Sequence, residues 1–134
     1  MSCYCGTDQK FSNCCEPYIL GKKLPDSAEQ LMRSRYTAYC IKKMDYIFIT
    51  TDHQARDEFD HKGNEEWAQK AHFEKLEILK SEDSGTKGIV EFKATFKIDL
   101  EIHIHHEVST FRKNKGQWFF RSGRVTAPEQ KTKS

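Results

Sequence analysis

An α+β fold, with helices laid on one face of a curved antiparallel sheet behind a small cysteine knot, is predicted by three observations. Four of the five cysteines fall within the first 15 of 134 residues. Apolar residues then recur at three- and four-residue steps, and from Phe73 onward they alternate instead. Helices segregated from a run of hairpins pack as two layers around one core, and the length allows one domain with a small appendage.

The elements follow in order. Residues 1–24 are polar and cysteine-rich, too poor in apolar side chains to hold a shape without a staple. Composition changes between Pro17 and Pro25, so a domain is expected over 25–126, with 127–134 as a frayed tail. Ser27-Ala28-Glu29-Gln30 has the form of a capping box, in which the serine oxygen accepts from the Gln30 amide while the Gln30 side chain reaches back. The helix it opens is expected to run to about Lys43, with Ala28, Leu31, Met32, Arg35, Tyr36 and Tyr39 on one face. Asp45 can cap a short helix through Ile49, residues 52–62 read as a loop, and Asn64-Glu65-Glu66-Trp67 opens a third helix with acids in its first turn. Strands are expected around Leu76 and Ile78, along Val90, Phe92, Ala94 and Phe96, from Glu101 to Arg112, and from Trp118 to Phe120, with turns at Asp83-Ser84-Gly85 and Asn114-Lys115-Gly116.

Charge and hydropathy exclude several classes. Lys and Arg number 22 against 20 Asp and Glu, a net +2 that sets up no global field for nucleic acid or anionic lipid. No apolar run approaches the roughly 18 to 20 residues that span a bilayer. The start, Met1-Ser2-Cys3-Tyr4-Cys5, has neither the basic nor the apolar region of a secretory signal, so a soluble, cytoplasmic protein is expected. In that reducing compartment, clustered cysteines point to metal.

The pattern Cys3-x-Cys5-x8-Cys14-Cys15 supplies four soft thiolates, the donor set for one structural Zn2+. Gly6 can make the tight turn after Cys5, and Lys10, Lys22 and Lys23 lie near enough in sequence to offset the charge of the centre. Cys15 is the demanding ligand, because two adjacent residues must both turn inward. Unliganded thiols and an iron–sulfur cluster are the alternatives, although the spacing matches neither common ferredoxin pattern. Cys40 reads as a small buried hydrophobe.

Cys3-Tyr4-Cys5-Gly6-Thr7 with Cys14-Cys15 resembles the SEC-C zinc motif, named for the tail of the translocase ATPase SecA. Together with Leu31-Met32-Arg33-Ser34-Arg35-Tyr36-Thr37-Ala38-Tyr39, His106-Glu107-x-Ser109-x-Phe111 and Trp118-x-Phe120-x-x-Gly123, the chain resembles the bacterial YchJ-like family of SEC-C proteins. That resemblance implies a cone-shaped domain similar to nuclear transport factor 2 behind a zinc knot, in a family without an assigned biochemical function. It also implies a knot that docks on a protein partner, a ribosomal or chaperone component by analogy with the SecA tail. Two departures stand out: Thr7 replaces the usual serine, and the hairpin before Glu101 is short.

On the third strand His103, His105, Glu107, Ser109 and Phe111 share one face, while Ile102, Ile104 and Val108 share the other and offer a homodimer patch. The resemblance turns Glu107, Ser109 and Phe111 into the cone, opposite Arg35 and Tyr39, with Trp118 as a further pocket candidate. Glu107 and Arg35 then form either a buried ion pair that docks helix on sheet or a ligand anchor. His103, His105 and Glu107 also have the donor types of a second metal site. Arg33 lies about 200° around the helix from Arg35, so the two cannot share the pocket. Two functions follow: a zinc-stabilised, non-enzymatic interaction module, or a small-molecule pocket, enzymatic or not, using Glu107, Arg35 and Ser109. A cavity filled by the chain's own aromatics would favour the first, and an open, partly polar cavity the second.

Overall fold

The computed structural model describes residues 2–58 and 60–126; the tail expected over 127–134 lies outside the described residues. A 3-10 turn (Phe11–Asn13) and helix α1 (Glu16–Ile19) complete the knot, followed by α2 (Ala28–Cys40), α3 (Met44–Ile49), a 3-10 segment (His53–Glu58) and α4 (His61–Lys70). Four strands then form one antiparallel meander in the order β1-β2-β3-β4: β1 (His72–Ser84), β2 (Lys87–Ile98), β3 (Glu101–Asn114) and β4 (Gln117–Val125). Register shifts in β1 near Phe73 and Ile78, and in β4 at Arg121 opposite Thr110/Phe111, mark bulges, which bend strands and curve the sheet.

Ser27 caps α2 as the sequence implies, its Oγ accepting from Gln30 N at 3.1 Å. The return contact is shifted by one residue: Gln30 Oε1 accepts from Asp26 N (2.7 Å) and from the Tyr18 hydroxyl (3.1 Å), which ties the helix start to α1. The helix ends at Cys40, short of the expected Lys43. Lys42 takes φ +64, with Lys42 N donating to Tyr39 O and Lys43 N to Ala38 O, a Schellman closure made without the glycine that normally announces one. Helix resumes at once, so Lys43 occupies the cap position of α3 and Asp45 sits in its first turn. The expected 52–62 loop holds the 3-10 segment, seeded where Asp52 accepts from Gln54 N and Ala55 N. Asp60 rather than Asn64 opens α4, its Oδ1 accepting from Gly63 N at 2.9 Å, which leaves Glu65 and Glu66 beyond the first turn.

The inner face of the sheet buries Val90, Phe92, Ala94, Phe96 and Phe111, while Ile102 and Ile104 on the opposite face are exposed. α2 is buried on more than the one predicted face: Ser34, Thr37 and Ala38 are fully enclosed too. The cause is the knot, whose Cys3, Cys5 and Cys15 belong to the same core cluster as Leu31 and Val90, so α2 lies between knot and sheet. Thr51 bridges Phe120, with Phe120 N donating to Thr50 O (2.7 Å) and Asp52 N to Phe120 O (2.8 Å), which fixes the end of α3 against β4.

Candidate metal centre and ligand cavity

The knot is a tight loop before it is a metal site. Cys3 N donates to Gln9 O (2.8 Å) and Gly6 N to Cys3 O (3.2 Å), and Gly6 takes φ +98, a backbone conformation that a side chain would strain. Cys14 closes the 3-10 turn at φ −116, ψ −89 and Cys15 opens α1 at φ −88, ψ −25. The chain bends between them, so adjacent side chains both face inward. All four sulfurs lie within 4.8 Å of one another, with 3.6 Å between Cys5 and Cys14 and 3.9 Å between Cys14 and Cys15. Four thiolates around one tetrahedral ion at 2.3 Å stand about 3.8 Å apart, so the cluster fits such a centre.

Electrostatics point the same way. The hydrogen bond with Cys15 holds the Cys5 thiol down to about 4, the Cys15 thiol is pushed up by that same contact, and burial pushes Cys14 up to about 11. Without a cation the four thiols cannot all ionise together. Thr7 keeps the hydroxyl of the serine it replaces, with Oγ1 at 3.2 Å from Cys14 Sγ. A cation the sequence did not point to, Arg33, donates Nη1 to Cys5 O at 2.7 Å, and of the expected lysines Lys23 lines the same cleft as Cys14 and Cys15, over the Tyr18 ring. Arg33 is delivered by the helix face opposite Arg35, which is where the knot packs.

Between α2, α4 and the inner sheet face lies a half-open cavity of about 600 Å3. Its apolar wall is a ring cluster in which Trp67 meets Phe73 and Phe96 edge-on, each at 5.3 Å, with Tyr39 at 5.7 Å. Tyr39 donates to Asn64 Oδ1 (3.1 Å). At the polar end, Glu107 is hydrogen-bonded to His105 Nε2 at 2.7 Å and accepts from Ser109 Oγ at 2.5 Å. Burial pushes the Glu107 pKa up, but the hydrogen bonds from His105 and Ser109, together with attraction to His105 and Arg35, outweigh it and leave the carboxyl below its ordinary value. Gly123 on β4 makes room, since a Cβ there would collide with the Glu107 carboxylate.

Arg35 also lines the cavity, but no ion pair joins it to Glu107 among the described residues, which corrects one of the two sequence-based expectations for this pair. Its Nη1 donates instead to Ile47 O (3.0 Å), Thr50 Oγ1 (2.8 Å) and Thr51 Oγ1 (3.4 Å), and its guanidinium stacks on Phe120 at 4.5 Å. The C-terminal turn of α3 offers oxygens closer than β3 does, and Glu107 is held by its own strand. Phe111 and Trp118 lie in the core away from the cavity lining, Trp118 donating to Asp26 O (3.3 Å). The imagined His103, His105, Glu107 metal site does not assemble: His103 pairs with Glu101 (3.4 Å) and stacks on Phe96, while His105 turns to Glu107. Among the described residues the cysteines are the one group of three or more donors gathered for a metal. Sequence reasoning missed Trp67 and Asn64 as lining residues, because they sit on a helix whose start it misplaced.

Comparison with known proteins agrees with this architecture. The family model described as the YchJ middle NTF2-like domain matches residues 27–123. A UPF0225 protein of Geobacter sulfurreducens is 42% identical over 130 residues, covering 95% of this chain and 81% of that protein. The solution structure of a SEC-C motif containing protein from Rhodopseudomonas palustris superposes with a TM-score of 0.89 at 41% identity, covering 95% of this chain and 100% of that one. The crystal structure of a SEC-C motif containing protein from Psychrobacter arcticus gives 0.81 at 34% identity, covering 95% and 84%.

Proposed function

This chain belongs to the YchJ-like, SEC-C motif family, and from the cavity that its domain keeps open we propose that it binds a small, partly apolar molecule there, while the four cysteines hold one structural Zn2+. The single observation that carries the binding reading is the space itself. About 600 Å3 walled by aromatic rings and ending in Glu107, His105 and Arg35 has the size and lining of a ligand site. A domain that only supports a docking knot has no need to leave that volume unfilled or to place charged groups in it. Zinc is favoured by an all-thiolate donor set, which also leaves no position for a substrate, so the ion organises the knot without reacting.

Titration with the uncharged fluorophore 1-aminoanthracene tests the cavity. Saturable fluorescence enhancement at one equivalent per chain is expected, together with its loss in Ala94→Trp, where the new ring occupies the cavity beside Phe92 and Phe96. Circular dichroism controls for folding of that variant. Absence of binding to the parent protein, or equal binding to a folded Ala94→Trp, would reject the reading.

A further inference from the structure

We propose that the ligand of this cavity is an aromatic or alicyclic carboxylate, and that Arg35 is the group that recognises its anionic end; the proposal rests on the small-molecule reading above. Arg35 is only 7% exposed and forms no ion pair among the described residues. Its hydrogen bonds all leave through Nη1 and end on neutral oxygens of α3 and the residues just after it. Burial lowers its pKa, yet a guanidinium stays charged in proteins. A buried charge without a counter-charge is costly, and proteins ordinarily pair it.

Glu107 in the lining attracts Arg35 only through space, without an ion pair, and neither acid there offers the guanidinium a contact. Glu107 spends its oxygens on His105 and Ser109, and Asp60 caps α4 through Gly63 N. Arg35 Nε and Nη2 make no hydrogen bond to a described residue, and no fully enclosed side-chain nitrogen or oxygen among those residues lacks a partner. That edge of the guanidinium therefore reaches the cavity surface. Phe120 beneath the plane and three acceptors on Nη1 hold the fork in one orientation, ready for the two oxygens of a carboxylate. Arg121 lines the same cavity, also without an ion pair among the described residues, and adds a second positive charge. Against these two cations the lining holds the carboxylates of Glu107 and Asp60, both already hydrogen-bonded, so an acid rather than an amine is the ligand that gains an unoccupied charged partner. The rings of Trp67, Phe73 and Phe96 take the apolar body of the acid.

Displacement of 1-aminoanthracene by three molecules of one shape tests this: 1-naphthylacetate, its amide and 1-naphthylethylamine. At neutral pH the acid is expected to displace the probe at about tenfold lower concentration than the amide, as a charge-assisted bidentate pair supplies. Arg35→Met should abolish that advantage, and Arg35→Lys, which keeps the charge but not the fork, should retain part of it. The comparison of acid with amide on the parent protein stands even where a variant fails to fold. If acid and amide compete equally, if the amine competes best, or if folded Arg35→Met keeps the preference, the carboxylate proposal fails while the cavity reading stands. If the probe does not bind the parent protein at all, both fail.

Discussion

Glu107 keeps its charge inside the cavity through two neighbours on its own strand, His105 and Ser109. Its native pKa lies below the ordinary 4.5, so the proton binds more tightly to the unfolded chain. The stability this supplies is therefore complete above about pH 4.5 and is lost as pH falls through the lower native value. Replacing Glu107 by Gln should lower the urea midpoint at neutral pH by the equivalent of about 1–3 kcal/mol, the usual worth of hydrogen bonds to a charged group. The gap from the parent should close as the buffer is taken below pH 4.5. A gap that stays constant across that range would show that packing, not charge, sets the cost. Arg35 differs in kind: its hydrogen-bond partners are carbonyl and hydroxyl oxygens, which orient a cation without neutralising it, and Glu107 acts on it only through space.

Among the elements, α2 organises the rest, because knot, sheet and α3 all pack on it. Its N-terminus is held by Ser27 Oγ on Gln30 N and by Gln30 on Asp26 N and Tyr18. Ser27→Ala should cost about 1 kcal/mol in chemical denaturation without changing the slope, as loss of one cap does. An unchanged midpoint would mean that the Gln30 contacts alone secure the helix start. The patterning of α2 showed its sheet-facing stripe plainly. The burial of Ser34 and Thr37 was not legible, since small polar residues are enclosed only where another part of the chain comes to cover them: Ser34 bonds the Tyr46 hydroxyl at 2.7 Å, and Thr37 lies by Cys3.

For the whole molecule, the shared core means that the knot is not a detachable appendage. Cys3, Cys5 and Cys15 pack in one cluster with Leu31, Tyr36 and Val90. Stripping the metal with a chelator under reducing conditions should lower Tm by roughly 10 °C or more. Amide hydrogen exchange should speed up across the knot and on the Arg33 and Thr37 side of α2, while the central β2–β3 ladder stays protected. A metal-free protein with the parent Tm would show that the cysteines do not hold a structural ion.

The sequence by itself determined the α+β class, the four strands, the cysteine donor set and that His105, Glu107 and Ser109 share one strand face. Each of these is written in spacing, and spacing is local: a period of two or of three to four residues, or four thiols within 13 positions, survives whatever the rest of the chain does. Only the tertiary structure decided that Arg33 reaches the knot, which face of β3 turns inward, that Arg35 and Glu107 line the same cavity without an ion pair, and that the cavity stays open. Those outcomes depend on distances between segments far apart in the chain, such as α2 against the end of α3, and a guanidinium bonds to whichever oxygens packing brings nearest.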